Sequence, residues 1–255
     1  MTWYESSFGQ DYLTLYAHRD VAEARANMRA LVRLVSPPLD EPLLDLCCGA
    51  GRCLLALREL GYRQLVGLDL SADLLRAAAG ALSARWPGAG GGTPPLLVRG
   101  DMRHIPFERT FATVISIFTS FGYFESDEEN HAVLAAVSRG LRPRGAYVLD
   151  YLNRDYVVAH LVPEDDKQVG DWRVHNLRRL SQDSRRVEKT TTVTAADGGS
   201  RRFFESVRMY TEAEMRQMLA AAGFDQVRAY GSLAGEPFGP ESQRLVLVAR
   251  KAAGR

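Results

Sequence analysis

A doubly wound α/β fold, a parallel sheet with helices on both faces, is what this 255-residue chain predicts. Three observations carry the prediction. Short apolar runs alternate with helix-length amphipathic stretches from residue 43 to about residue 150. Two capping boxes, Ser126 with Glu129 and Thr211 with Glu214, mark helix starts. Between them these signals frame LLDLCCGAGR, residues 43–52, which reads as a buried strand, a glycine turn and the opening of a helix.

The elements follow in order. Residues 10–35 are amphipathic and end at the Pro37-Pro38 break, predicting one or two helices. LLDLC is the first strand, and the helix after it carries Leu54, Leu55 and Leu57 to about Leu60. QLVGLDL is the second strand; Ser71 then caps a helix holding Leu74, Leu75, Ala78 and Leu82. The loop GAGGGTPP leads to LLVRGD, the third strand, and FATVISIF is the fourth. Ser126 opens a helix to about Leu141, and GAYVLDYL is the fifth strand. After Asn153 the rhythm changes. DWRVHNLRRL, RRVEKTTTVTA and RRFFESVRMY read as antiparallel strands, the last two joined at Asp197-Gly198-Gly199. A helix from Thr211 stops at Gly223, and QVRAYG and RLVLVAR close the chain as two strands. The expected division is an N-terminal helical lid over 1–36, a core over 37–153 and 209–255, and an inserted antiparallel β cap over 154–208.

Composition narrows the partners. With 46% hydrophobic residues a full core is affordable, and 32 Lys plus Arg against 31 Asp plus Glu leaves a formal charge of +1. No global field draws such a chain to nucleic acid or to an anionic membrane, so a small-molecule substrate is expected. No apolar run approaches the roughly 20 residues that span a bilayer, and MTWYESSFGQDYL lacks a basic segment before an apolar core. A cytoplasmic protein, monomer or homodimer, is expected. Cys47, Cys48 and Cys53 crowd one turn without a second Cys or His cluster at zinc spacing, so no metal is expected and the thiols read as reduced and buried. Cys53 has no base near it in sequence to make it a nucleophile.

The glycine turn raises the question of its ligand. Gly49 and Gly51 permit positive φ or close approach of a ligand to the backbone, although an ordinary βα turn needs the same bend. Asp69 ends the second strand, where a doubly wound sheet brings its carboxylate beside the turn to accept from two ribose hydroxyls; a turn-forming acid before Ser71 is the alternative. An Asp69 that serves the ligand alone would be dispensable for the ligand-free fold. A dinucleotide site wants a third glycine where Leu54 stands. S-adenosylmethionine carries no phosphate, and it gives Asp101 and Met102 a use, an acceptor and an apolar partner for adenine, though Asp101 also suits a turn after Gly100.

With LLDLCCGAGR, LVGLDLS, VRGDMRHIPF, FTSFGYF, LRPRGAYVLDYLN and the terminal SQRLVLVARK in view, the sequence resembles the class I S-adenosylmethionine-dependent methyltransferases over nearly its whole length. The resemblance implies a Rossmann-like, seven-stranded, mainly parallel sheet whose last strand is antiparallel. It implies Asp45, Cys47, Gly49 and Gly51 near the methionine portion, Asp69 and Leu70 at the ribose, Asp101 and Met102 at adenine, and Phe118 near the sulfonium. YLTLYAHR resembles the lid of small-molecule members, with Tyr16 and Arg19 reaching one site. Cys47 departs from the family's usual glycine; a small side chain fits there if the backbone keeps negative φ. Ala112 stands where the fourth strand commonly begins with an acid.

Methyl transfer needs alignment and exclusion of water more than a fixed catalytic group, so the catalytic residue is left open, with His18, His131 and Tyr123 as candidate bases. Substrate groups are expected at the carboxyl edge of the sheet, Tyr123, Tyr151, Asn153 and Arg244, and on the inserted sheet closing over it, where Arg208 either meets an acidic substrate or belongs to a solvated face. The activity expected is methyl transfer to N or O of a small molecule. An RNA methyltransferase, a nicotinamide-dependent reductase and a non-catalytic ligand-binding protein are the alternatives.

Overall fold

The computed structural model describes residues 3–4, 21–85 and 94–254. In chain order the elements are α1 (Val21–Val35), β1 (Leu43–Leu46), α2 (Arg52–Glu59), β2 (Leu65–Asp69), α3 (Ala72–Arg85), β3 (Leu96–Arg99), β4 (Phe111–Ser116), α4 (Asp127–Gly140), β5 (Leu141–Leu152), α5 (Arg154–Ala159), β6 (Glu164–Val169), β7 (Trp172–Leu180), β8 (Arg186–Thr194), β9 (Ser200–Arg208), α6 (Glu212–Ala221), β10 (Phe224–Tyr230) and β11 (Arg244–Lys251).

Seven strands form one sheet in the order β10-β11-β5-β4-β1-β2-β3. β1 to β5 pair in parallel, whereas β11 runs antiparallel to both β5 and β10. Alternation along the central strands sends side chains to two cores. Leu44, Leu46, Val114 and Leu149 pack with Leu134 and Val137 of α4 and Leu219 of α6. Leu43, Ile115, Val148 and Val246 pack with Met28 of α1, Leu54 of α2 and Leu75 of α3. Strands buried on both faces read as continuous apolar runs, which is why periodicity found them. Both capping boxes form as the sequence predicts.

Gly67 in β2 shows how tightly the first βα unit is closed. A Cβ there would lie 2.7 Å from Leu54 Cδ1 and 2.8 Å from Cys48 Sγ. Close packing of α2 on the sheet is thus permitted by a glycine in the neighbouring strand, while Leu54 occupies the place where a dinucleotide fold puts its third glycine.

The insertion is a separate four-stranded antiparallel sheet, β6-β7-β8-β9, preceded by the short helix α5. Three of its strands match the sequence expectation; β6 and α5 were not anticipated. The insertion is fastened to the loop after β4. The Arg208 N–H donates to the Gly122 carbonyl (2.8 Å), and Arg186 Nη1 donates to the Phe124 carbonyl (3.0 Å). Among the described residues no helix is long and apolar enough to cross a membrane.

Candidate functional site

The chain leaves β1 toward β2 and β3 on one side and returns to β4 on the other, so a crevice opens where the carboxyl ends of β1 and β4 diverge. The glycine turn forms its first wall. Positive φ recurs at every second residue, Cys47 (63°), Gly49 (53°) and Gly51 (77°), which coils the backbone into a loop ending at the N-cap of α2. Cys47 does not keep negative φ as the sequence reading requires. It is a non-glycine residue in the left-handed region, steadied by its N–H on the Leu68 carbonyl (2.8 Å) and by its sulfur 3.7 Å from Met102 Sδ. Among the described residues a Cβ at Gly49 would meet nothing within 4 Å.

Asp69 sits beside this loop. One carboxylate oxygen accepts from the Gly49 N–H (2.8 Å), the other from the Ser71 N–H (2.9 Å). Burial pushes its carboxyl up, against the pull of these backbone donors. The expectation that Asp69 is dispensable for the ligand-free fold is therefore corrected: the carboxylate fixes the turn, and each oxygen has lone-pair capacity left for a further donor. Leu70 follows it, its carbonyl accepting from Arg99 Nε (3.2 Å).

Asp45, in the middle of β1, is 3% exposed, and one of its oxygens is buried with no hydrogen-bond partner among the described residues. Burial first, and then the nearby Asp69 charge, pushes its carboxyl up to about 8, with Arg52 pulling the other way. After β3, Asp101 is already engaged by Arg103, through the Arg103 N–H (2.8 Å) and Nε (3.0 Å). Burial pushes the Asp101 carboxyl up, but the Arg103 hydrogen bonds outweigh it and hold the group below the usual range. Arg103 also pairs with Glu129 and lies over the Phe124 ring, 4.3 Å from its centroid. Sequence reasoning missed Arg103, although RGDMR places a cation two residues from the acid.

The β4 wall of the crevice is a turn at Phe118 (φ 64°) and Thr119 (φ 60°). The Arg52 guanidinium stands 5.4 Å from the Phe118 ring centroid, joining this wall to the start of α2. Asp150 of β5 accepts from the Phe118 N–H (2.9 Å) and, through its other oxygen, from Arg244 Nε (2.7 Å). Asp150 was also missed; the signal was an acid inside the apolar run YVLDYL.

Several substrate assignments are corrected. Tyr151 is completely buried; its hydroxyl donates to the Arg208 carbonyl and accepts from the Tyr210 N–H (3.3 Å). Arg208 is 5% exposed, paired with Asp127 (3.2 Å) and Glu214 (3.4 Å) and stacked 4.4 Å from the Tyr210 ring. Asn153 caps α5 and donates to the carbonyls of Gly239 (3.0 Å), Pro240 (3.2 Å) and Ser242 (2.7 Å). All three hold the edge together with their polar atoms committed to protein. Tyr123 is half-buried with its ring 5.3 Å from that of Trp3. Arg244 stands a third exposed at the edge, with Nη2 buried and without a partner among the described residues. His131 is exposed on α4. Tyr16, His18 and Arg19 lie outside the described residues.

All three cysteines are free thiols, and burial pushes each well up, which removes Cys53 as a nucleophile. Among the described residues Glu164, Asp166 and His175 bring ligand atoms within 4.8 Å of one another on β6 and β7. His175 lies 3.3 Å from Asp166 and 3.7 Å from Glu164, and Arg173 pairs with Asp166 (3.6 Å), so protein partners already hold the grouping.

An open glycine cradle, a buried orphan carboxylate oxygen beside it, and Asp69 with spare acceptor capacity fit a ligand that has a cationic amino-acid end and a ribose. Together with the sheet order they make this crevice the nucleoside-ligand site of a doubly wound fold. The chain belongs to the class I S-adenosylmethionine-dependent methyltransferases, and S-adenosylmethionine is its cofactor. Residues 43–145 match the model of a methyltransferase domain. The chain is 31% identical over 232 residues to the dTDP-3-amino-3,4,6-trideoxy-alpha-D-glucopyranose N,N-dimethyltransferase of Streptomyces venezuelae, covering 86% of this chain and 91% of that one. It is also 31% identical over 229 residues to the cypemycin N-terminal methyltransferase of a Streptomyces species, covering 83% and 84%. Among solved structures it is similar to S-adenosylmethionine-bound CalS10, an amino pentose methyltransferase from Micromonospora echinaspora, with TM-score 0.66, 25% identity and coverage of 95% and 97%.

Proposed function

We propose that this chain methylates an amine nitrogen of a small molecule, an amino sugar or a peptide amine. The observation that carries the reading is that two relatives 31% identical over most of both chains are, by name, an N,N-dimethyltransferase of an amino sugar and an N-terminal methyltransferase. The site is compatible with it. A neutral amine attacks with its own lone pair, so alignment and dryness matter more than a general base.

When bound, S-adenosylmethionine supplies an activated methyl group. In our reading Asp69, with Leu70 beside it, holds the ribose; Asp101 and Met102 face adenine, Arg103 sharing or yielding the carboxylate. The Asp45 carboxylate meets the ligand ammonium near Cys47, Gly49 and Gly51. Phe118 stands near the sulfonium on its amino-acid side, Tyr16 and Arg19 of the 1–36 lid close over the amino-acid end, and the 154–208 cap with Tyr123 covers the acceptor, Arg244 standing behind the β4 wall. The acceptor amine would take the methyl group with its own lone pair, the sulfur keeping the electrons of the bond it gives up, and the product ammonium would release its proton to solvent.

The test is to incubate the full chain with methyl-labelled S-adenosylmethionine and matched acceptors: sugar nucleotides bearing an amine, the same sugars bearing only hydroxyls, and short peptides with free or acetylated N-termini. Label is expected on free amines alone. Label on the hydroxyl sugars and not on any amine would overturn the reading.

A further inference from the structure

We infer that Asp150 and Arg244 are positioning residues that latch the β4 wall of the cofactor site. Phe118 and Thr119 are consecutive non-glycine residues in the left-handed region, a strained conformation that persists only where surroundings impose it. One residue imposes it. The Asp150 side chain accepts the Phe118 N–H (2.9 Å) and the Asp150 carbonyl accepts the Thr119 N–H (3.0 Å). Asp150 is 5% exposed, a position where a carboxylate needs a compensating cation, and Arg244 supplies it through Nε (2.7 Å) from the antiparallel strand β11. The antiparallel course of β11 has a use here: its first residue lies at the same sheet edge as the last residues of β5, with Arg244 opposite Leu152 and Val246 opposite Asp150.

The latch acts on one end of the ligand. Asp69 and Asp101 follow β2 and β3, so an adenosine placed there sends the amino-acid end the other way, across β1 toward β4. This step rests on the ligand orientation proposed above. The Phe118 turn then borders the amino-acid end and leaves adenosine untouched.

Calorimetry with S-adenosylhomocysteine and with methylthioadenosine, which lacks the amino-acid end, separates the two. Arg244→Met strands the Asp150 carboxylate, and S-adenosylhomocysteine is expected to bind roughly tenfold more weakly or worse, about 1.4 kcal/mol, with methylthioadenosine unchanged. Adding Asp150→Asn to that variant restores most of the loss, because a neutral amide oxygen still accepts from the Phe118 N–H without a cation. Asp69→Ala serves as the control for orientation, lowering both affinities whatever the latch does. The inference is overturned if Arg244→Met weakens both ligands equally or neither, or if the double variant fails to recover, which would mean that Arg244 touches the ligand itself.

Discussion

Asp45→Asn should make the protein more stable in alkali than the parent. The Asp45 carboxyl has an ordinary value of 3.8 and is pushed to about 8 in the fold. Between these values the folded state holds a proton that the unfolded state has released, so stability falls as pH rises through this window. At about 1.4 kcal/mol per pH unit the whole window is worth about 6 kcal/mol, an upper bound, since an ionised Asp45 draws in water or shifts Arg52 toward it. From about pH 5 to about pH 9 the expected part is about 2 to 4 kcal/mol. Urea unfolding of both proteins at both values gives the answer as a double difference, in which every group common to the two cancels, including the buried thiols. Asparagine differs from protonated aspartate by an offset that is independent of pH. The advantage of the variant must grow by the stated amount on going to alkali. A constant difference, or one that shrinks, would refute the assignment of a neutral, burial-destabilised carboxyl to β1.

Three further outcomes follow from the same geometry. Asp69→Ala removes both the turn's acceptor and the ribose's, so S-adenosylmethionine should bind roughly ten- to a thousandfold more weakly while the ligand-free protein loses about 1 to 3 kcal/mol; calorimetry and urea unfolding on one variant measure both, and an unweakened affinity would remove Asp69 from the site. Cys47→Gly should be more stable than Cys47→Ala by about 1 kcal/mol, because φ at 47 is positive; equal unfolding midpoints would contradict that backbone. Gly67→Ala should cost about 1 to 3 kcal/mol through overpacking against Leu54 and Cys48, and the cost should shrink in a Leu54→Ala background; a cost unaffected by Leu54 would show that the clash lies elsewhere.

Local chemistry was legible in the sequence. Capping boxes join residues three apart, and buried parallel strands announce themselves as apolar runs, so the helices at Ser126 and Thr211 and all seven strands of the main sheet were found. β6 was not, because EDDKQV is a polar edge strand that buries little on either face. The six residues of α5 are too few to show a helical period. In the site, Asp69 could be placed from its distance to the glycines, but its bonds to Gly49 and Ser71 could not. Tyr151, Asn153 and Arg208 are polar groups that a sequence offers for a substrate, yet a sequence does not show which polar atoms the protein itself consumes. Asp150 and Arg244 are 94 residues apart and meet only through strand register. Cys47 was read with the wrong sign of φ, since a left-handed non-glycine residue leaves no mark in composition.

Tyr151 stands at the threshold of the insertion, and its hydroxyl touches the chain again where the insertion ends, at Arg208 and Tyr210. Some fifty-odd residues thus leave and re-enter the core through one gate whose posts are clasped by a single phenol. The core meets the insertion as a plug meets a socket. A β cap of another length or another lining can be exchanged at these two posts without disturbing the strands below, since chain ends that lie together tolerate insertion and replacement. On the proposed reading, in which the cap covers the acceptor, the choice of acceptor is then a cassette that changes apart from the strands below.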